Sequence, residues 1–276
     1  MTVRYRTPPA PLALGAICFR DRPFPRFTAA ASASGFPGIG LTVGQCVSAL
    51  ERGIPLDEIP VRLADPGLRL AELELVRLSD DGPTRHANGL VEELIDTLAP
   101  DRVHTAAFTG DLAAAEARFA QLCERHPETP IAVEFMPYSV VRTLTEARRL
   151  VAYAGTANAA IVLDIVHFFR SGSPAEELDE DALRHVAVVQ LSDVSSRPGV
   201  DLAREARHLR TYPGRGNLDT IGFLRRIRAS TDELPPVSVE PISDALESLP
   251  MDVVAEEVMF STLNVLEQSM LDPAKP

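Results

Sequence analysis

The sequence repeats one pattern: a short apolar run followed by a stretch with the polar and apolar spacing of a helix. Apolar runs separated by helices are typical of a parallel sheet that is buried on both faces. Eight repeats with nothing left over predict an α/β fold, a closed (β/α)8 TIM barrel, with residues 1–276 in a single domain. The predicted strands are Leu12–Phe19, Phe36–Val43, Leu68–Val76, Arg102–Phe108, Ile131–Pro137, Ala159–Ile165, Val186–Asp193 and Pro236–Ile242. The predicted helices include Asn88–Ala99, Leu112–Arg125, Val140–Ala154, Asn217–Ser230 and Met251–Gln268.

Composition and charge narrow the classes of partner. The 276 residues are 45% hydrophobic and 24% charged, as in an ordinary soluble globular protein, which excludes disordered and fibrous classes. With 27 Lys and Arg against 39 Asp and Glu, the net charge is −12. Nucleic acids and anionic membranes both select a basic surface. We therefore expect a small-molecule substrate, no nucleic-acid partner and no membrane partner.

Cysteine usage and the N-terminal region point to the cytoplasm. The three cysteines, Cys18, Cys46 and Cys123, are far apart and odd in number, which predicts free, buried thiols in a reducing compartment. The apolar stretch Leu12–Phe19 is too short to span a membrane and lacks a cleavage-like ending. Barrels of this kind are often dimers or tetramers, so a homo-oligomer is compatible with the sequence.

In four neighbouring predicted strands the apolar run ends in a polar residue. These residues are Glu134, Asp164, Gln190 and Glu240. In such barrels the chemistry is found at the carboxyl ends of the strands. A single carboxylate at a strand end is as well explained by a structural role, as a cap or as half of an ion pair, as by metal binding. Three carboxylates that converge repel one another unless a cation lies among them, so the four together predict one divalent metal ion.

The motifs around these residues have a specific order and spacing. They are Val133-Glu-Phe-Met-Pro137, Leu163-Asp-Ile-Val-His-Phe168, Val189-Gln-Leu-Ser-Asp193, Arg210-Thr-Tyr-Pro-Gly-Arg-Gly-Asn-Leu-Asp219 and Ser238-Val-Glu-Pro241. Through these motifs the chain resembles the xylose isomerase-like TIM barrels, a family of sugar phosphate isomerases and epimerases. The resemblance implies a divalent metal held by Glu134, Asp164, Gln190 and Glu240, with substrate contacts from His167 and Arg210.

Gln190 departs from the commonest form of that pattern. Many epimerases of the family have histidine at this position, and glutamine is more similar to the 3-dehydroshikimate dehydratase branch. Glutamine also makes the predicted ligand set all oxygen, which suits Mn²⁺ or Mg²⁺ better than Zn²⁺.

Several other polar residues are candidates for functional or structural roles. His104 ends the fourth predicted strand and is a candidate substrate contact, although a hydrogen-bonded structural role fits it as well. His167 is either a catalytic and substrate-binding group or a packed histidine. Glu74 is placed to face the barrel lumen, where it contacts either substrate or a neighbouring arginine. Asp193 is expected to support the rim or a ligand rather than to bind metal. The loops Arg20–Arg26 and Ser79–Ala87 are expected to complete the pocket, and Arg197 and Arg215 to be solvated.

The predicted site suits removal of a proton next to a carbonyl, with Glu134 and Glu240 as catalytic carboxylates on opposite sides of the substrate. Return of the proton gives isomerisation or epimerisation of a small sugar or hydroxyketone, which is the leading hypothesis. Expulsion of a β-hydroxyl with His167 as the acid gives a dehydratase of a cyclic hydroxyketo acid such as 3-dehydroshikimate, which is the alternative. A binding protein without turnover is a third reading. Six histidines and a net charge of −12 argue against DNA repair, as in the endonuclease IV branch of this barrel.

Overall fold

The computed structural model describes residues 10–19, 22, 24–79, 82–195 and 199–271, with the backbone alone for residues 16 and 82–88. In this part of the chain, eight parallel strands form a closed barrel: β1 (Leu12–Leu14), β2 (Gly38–Thr42), β3 (Arg69–Arg77), β4 (Val103–Ala106), β5 (Ile131–Glu134), β6 (Ala159–Asp164), β7 (Val186–Leu191) and β10 (Val237–Val239). A separate antiparallel pair, β8 (Asp193–Val194) and β9 (Arg210–Thr211), follows β7. The barrel closes in the order β1-β10-β7-β6-β5-β4-β3-β2. The predicted (β/α)8 TIM barrel is confirmed.

Helices connect the strands. They are α1 (Phe24–Ala33), α2 (Val43–Glu51), α3 (Glu58–Ala64), α4 (Gly82–Leu98), α5 (Leu112–Arg125), α6 (Leu144–Ala154), α7 (Ile165–Ser171), α8 (Glu180–Leu183), α9 (Leu202–His208), α10 (Thr220–Ala229), α11 (Asp244–Glu247) and α12 (Met251–Met270). The five predicted helices are all present. Two of them begin later than predicted because the side chains of Thr143 and Asp219 cap α6 and α10 at the amides of Glu146 and Gly222.

The first predicted strand is too long. The strand ends at Leu14, and Ala16–Phe19 forms a 3-10 turn instead. The Gly15 amide still donates to the Val239 carbonyl at 3.1 Å, which is the last bond of the ladder between β1 and β10. Apolar composition alone does not show this turn, because its residues are as hydrophobic as those of the strand before it.

On β5, β6 and β7, the side chains that face the lumen change from apolar to polar toward the carboxyl end of the strand. Side chains alternate between the two faces of a strand, so Ala132, Val162 and Val188 share a face with the polar residues two positions later. Together with Ala160 they form a small buried cluster apart from the main core, which lies between the strands and the helices. On the side of the lumen formed by β5, β6 and β7, the interior is therefore apolar below and polar at the carboxyl end.

The three cysteines are free and buried, as predicted. Among the described residues, no helix combines the length and the apolar character needed to cross a bilayer.

Candidate active site

The barrel brings the ends of β5, β6, β7 and β10 to one buried region. Glu134 and Asp164 are the last residues of β5 and β6, and Gln190 is the next-to-last residue of β7. Asp164 and Gln190 are register partners, and the Glu240 amide just beyond β10 donates to the Leu191 carbonyl at 2.9 Å. All four predicted ligands are buried, with Glu134 the most exposed at 8%.

Side-chain contacts join these residues as two pairs. The Nε2 of Gln190 donates to Oε1 of Glu240 at 2.6 Å. Glu134 and Asp164 form a group with His167 in which the possible ligand atoms lie within 4.8 Å of one another. A second such group contains Glu240, and its other members are on β3 and β4: Glu74 and His104. The structure thus divides the predicted ligands between two groups of ionisable side chains, each of which also contains a histidine, and their joint binding of one ion stays a prediction.

Asp164 is held from two sides. Its Oδ1 accepts the His167 amide at 2.8 Å and so caps α7, while its Oδ2 accepts from NH1 of Arg210 at 2.6 Å. Burial opposes ionisation of Asp164, but the Arg210 guanidinium and His167 lower its pKa below the ordinary value. Each carboxylate oxygen keeps a second lone pair, so this pairing is compatible with a ligand role.

Arg210 is buried beneath the rim rather than exposed on the loop. Its Nε donates to the Ala206 carbonyl at 2.8 Å and its NH1 to Ser192 Oγ at 3.2 Å, in addition to the contact with Asp164. Its NH2 lies 3.3 Å from Nε2 of His167. The guanidinium nitrogens of Arg210 are thus occupied by contacts that position Asp164 and His167. The predicted contact of Arg210 with substrate stays a prediction.

His167 lies between acid and base partners. Its Nε2 is 3.3 Å from Oε1 of Glu134, and its ring packs against the ring of Tyr138 in an edge-on arrangement with centroids 5.6 Å apart. The side chain is 2% exposed. His167 thus contacts both an acidic and a basic side chain through Nε2, and its predicted catalytic role stays a prediction.

The lumen concentrates negative charge. Burial, with the charges of Glu72 and Glu134, raises the pKa of Glu74 to about 8. Burial and the same kind of repulsion raise the pKa of Glu240 well above its ordinary value, and burial raises that of Glu72. Sequence reasoning missed Glu72, although the spacing of Glu72 and Glu74 was a usable signal, since residues two apart on a strand share a face.

The Gln190 amide is oriented by its neighbours. Its Nε2 also lies 3.5 Å from Nδ1 of His104, and because an amide nitrogen only donates, Nδ1 accepts and the ring hydrogen is on Nε2. The Nε2 of His104 is 3.3 Å from Oε2 of Glu72. The other oxygen of Glu72, Oε1, accepts from Ser238 Oγ at 2.5 Å. Burial, with the charge of Arg102, lowers the pKa of His104 to about 3, so the ring is neutral.

This arrangement leaves the side-chain oxygen of Gln190 available for a ligand. The Oε1 of Gln190 is buried and has no hydrogen-bond partner among the described residues. A buried polar atom without a partner is costly, and here it belongs to a side chain that touches a buried carboxylate. Oxygen donors with surplus negative charge are what a divalent cation requires, so the residues present fit such an ion. His104 supports the amide of Gln190, and its predicted contact with substrate stays a prediction.

Asp193 supports the rim, as expected from the sequence. Its Oδ1 accepts from the amides of Val194 at 2.8 Å and Leu218 at 3.0 Å, and its Oδ2 is 3.4 Å from the Thr220 hydroxyl. The carboxylate therefore ties the loop after β9 to the end of β7. Arg215 pairs with an exposed glutamate on α12, whereas Arg197, residues 20, 21 and 23, and residues 80–81 with the side chains of 82–87 lie outside the described residues.

Comparisons with known proteins agree with this architecture. A 3-dehydroshikimate dehydratase of Pseudomonas aeruginosa is 28% identical over 129 residues, which are 47% of this chain and 20% of that protein. The matched part thus spans a fifth of the relative's length. The zinc-bound crystal structure of the IOLI protein superposes with a TM-score of 0.81 at 17% identity, covering 95% of this chain and 99% of that one. The D-allulose 3-epimerase of Methylomonas sp. gives a TM-score of 0.70 at 16% identity, covering 97% and 100%. Residues 28–261 match the sequence profile of one family over most of the chain, and the protein belongs to the xylose isomerase-like TIM barrels.

Proposed function

We propose that this protein is a divalent-metal-dependent enzyme that removes a proton next to the carbonyl of a small hydroxyketone. The first candidate reaction is dehydration of a cyclic hydroxyketo acid such as 3-dehydroshikimate. The observation that carries the proposal is the convergence of Glu134, Asp164, Gln190 and Glu240 in one buried region, with an unpartnered oxygen on Gln190. Among the described residues, arginines form ion pairs with Asp164 and Glu72 but with none of Glu74, Glu134 and Glu240, so a bound cation would offset the charge of these carboxylates.

The metal is held by those four side chains in this proposal. Their all-oxygen donor set favours Mn²⁺ or Mg²⁺, and the zinc-bound IOLI structure supports a divalent ion in a barrel of this shape. When bound, the ion supplies polarisation of the substrate carbonyl and neutralises the negative charge that develops on its oxygen.

The proton transfers fall to residues of this chain. Glu134 and Glu240 are separated by two strands, β6 and β7, so they address different sides of a substrate placed between them. One of these carboxylates takes the carbon-bound proton. His167 delivers a proton to the departing hydroxyl, which leaves as water, and Arg210 holds the imidazole beside Glu134. The products are one conjugated ketone and one water molecule.

Isomerisation or epimerisation is the second candidate, because it uses the same first step. Glutamine at position 190 and the dehydratase relative favour dehydration, while the structural similarity to the D-allulose 3-epimerase favours epimerisation. In epimerisation the proton returns to carbon from the opposite side, and no hydroxyl leaves.

The two candidates separate in one experiment. Protein treated with EDTA is reloaded with Mn²⁺, Mg²⁺ or Zn²⁺ and incubated with 3-dehydroshikimate, where dehydration and enolisation give an aromatic product with a new absorbance. The same samples are incubated with D-fructose and D-allulose in D₂O, where epimerisation introduces deuterium into the recovered sugar. Absence of tight metal binding, or turnover that is unaffected by EDTA, would refute the proposal.

Variants test the roles of the carboxylates. Glu134→Gln and Glu240→Gln are each expected to lower kcat by about 100-fold or more. Glu124→Gln, which changes an exposed glutamate on α5, serves as the control and is expected to retain wild-type turnover. If Glu240→Gln retained full activity, the protein would be better described as a binding protein.

A further inference from the structure

A row of aromatic and basic side chains crosses the carboxyl end of the barrel. Arg77 ends β3, Phe108 lies two residues beyond β4, Tyr138 lies four residues beyond β5, and Arg207 is on α9. The guanidinium carbon of Arg77 is 5.8 Å from the centroid of the Phe108 ring, and that of Arg207 is 5.6 Å from the same centroid. Arg207 also lies 5.5 Å from the centroid of Tyr138.

The row leads directly to the candidate active site. Tyr138 packs against His167, which is beside Glu134. Burial and the charge of Glu134 raise the pKa of Tyr138, which is consistent with a phenol close to that carboxylate. The two arginines therefore lie at one side of the open carboxyl end of the barrel (the mouth). The rings of Phe108 and Tyr138 lie between them and the proposed reacting groups.

The arginines are arranged to accept an external anion. Both are exposed, and neither forms an ion pair with a carboxylate among the residues that the structure describes. Both guanidinium carbons lie within 6 Å of the centroid of the Phe108 ring, which limits the distance between the two guanidinium groups to about 11 Å. Stacking on an aromatic ring holds a guanidinium in place and leaves its N–H donors available for a carboxylate or phosphate.

Charge explains why such a pair would be needed. The chain carries a net charge of −12, and Glu72, Glu74, Glu134 and Glu240 converge below the mouth. An anionic substrate is repelled by this field unless cations stand where its charged group binds. A neutral sugar has no such requirement. Arg210 does not meet it, because its guanidinium is buried against Asp164.

We propose that Arg77 and Arg207 form an anion subsite, which binds the carboxylate or phosphate group of a substrate whose hydroxyketone portion reaches Glu134 and Glu240. The inference rests on the proposed function and adds a substrate class to it: small hydroxyketones that carry one anionic group. Phe108 and Tyr138 position the two arginines.

The test compares ligands that differ in one anionic group. Catechol and 3,4-dihydroxybenzoate share the chelating hydroxyls and differ by a carboxylate, while D-fructose and D-fructose 6-phosphate differ by a phosphate. Calorimetric titration of the Mn²⁺-loaded protein is expected to show that one anionic member binds at least about 10-fold more tightly than its neutral partner. The pair that shows the larger difference identifies carboxylate or phosphate as the preferred group.

Arginine variants then assign the effect. Arg77→Gln and Arg207→Gln are each expected to remove most of that preference and to leave the affinity for the neutral ligand within about twofold. Arg204→Gln, which changes an exposed arginine on the same helix as Arg207, is the matched control and should retain the preference. Equal affinities within both ligand pairs, or a preference that survives in both variants, would overturn the inference.

The same titrations separate this inference from the proposed function. If Mn²⁺ itself does not bind, the proposed metal site is wrong and the anion subsite is rejected with it. If Mn²⁺ and the neutral ligands bind but the anionic groups add nothing, the proposed function stands and the subsite alone is refuted.

Discussion

Replacing Glu74 with glutamine tests whether burial and the neighbouring carboxylates oppose ionisation in the lumen. Glu74 is 4% exposed and lies on β3 beside Glu72, with His104 and Glu240 as neighbours. Its Oε1 accepts from the Ile17 amide at 3.3 Å, an interaction that a glutamine oxygen can also make. The variant therefore removes a titrating group and keeps its volume and one hydrogen bond.

The magnitude follows from the pKa of this group, which rises from 4.5 to about 8 on folding. Between those values the folded protein holds a proton that the unfolded chain releases, so stability is fully present below pH 4.5 and falls as the pH rises through 8. The slope is about 1.4 kcal/mol per pH unit, with a ceiling of roughly 5 kcal/mol over the whole interval if Glu74 titrates alone. Glutamine has no such dependence.

Urea unfolding of EDTA-treated protein at several pH values between 5 and 8 measures this effect. Relative to wild type, Glu74→Gln is expected to become progressively more stable as the pH rises. The control Glu124→Gln, on the exposed face of α5, should follow the pH dependence of wild type. A difference between Glu74→Gln and wild type that stays constant with pH would refute the reasoning.

Three further substitutions probe the site and the loop above it. Gln190→His introduces an imidazole ligand and should raise the affinity for Zn²⁺ relative to Mn²⁺ by about tenfold or more, measured by metal competition; an unchanged ratio would argue against a ligand role. Gly15→Ala places a Cβ 2.5 Å from Cγ of Glu240, so kcat should fall by about 100-fold while the protein stays folded by circular dichroism. Gly216→Ala brings a Cβ against the Asp193 carboxylate and should lower the free energy of unfolding by about 1–3 kcal/mol in urea titrations; wild-type stability would show that the loop yields freely.

Much of the architecture could be predicted from local pattern. Apolar runs and helical spacing located the barrel strands to within a few residues, apart from the end of β1, where the chain turns after Gly15. Glu134 and Asp164 could be singled out because a polar residue that closes a buried parallel strand must lie at the functional end of such a barrel. Helices such as α7 were missed because Ile165 and the residues after it are as apolar as the strand they follow.

The contacts between distant segments could not be predicted in this way. Arg210 is 46 positions from Asp164, yet the two side chains form a buried ion pair, and a short loop motif does not specify its partner. Glu72 is joined to Ser238 across 166 positions. The row formed by Arg77, Phe108 and Arg207 depends on three separate segments.

The succession of apolar runs and helix-spaced stretches along the chain was sufficient to predict the barrel and the strand ends at which the acidic residues lie, because secondary structure and burial follow largely from local spacing. That the side-chain oxygen of Gln190 is left without a partner, which charges repel and which arginines remain available were decided only by the tertiary structure. Electrostatic energies depend on distances through space and on burial, and closure of the barrel sets both.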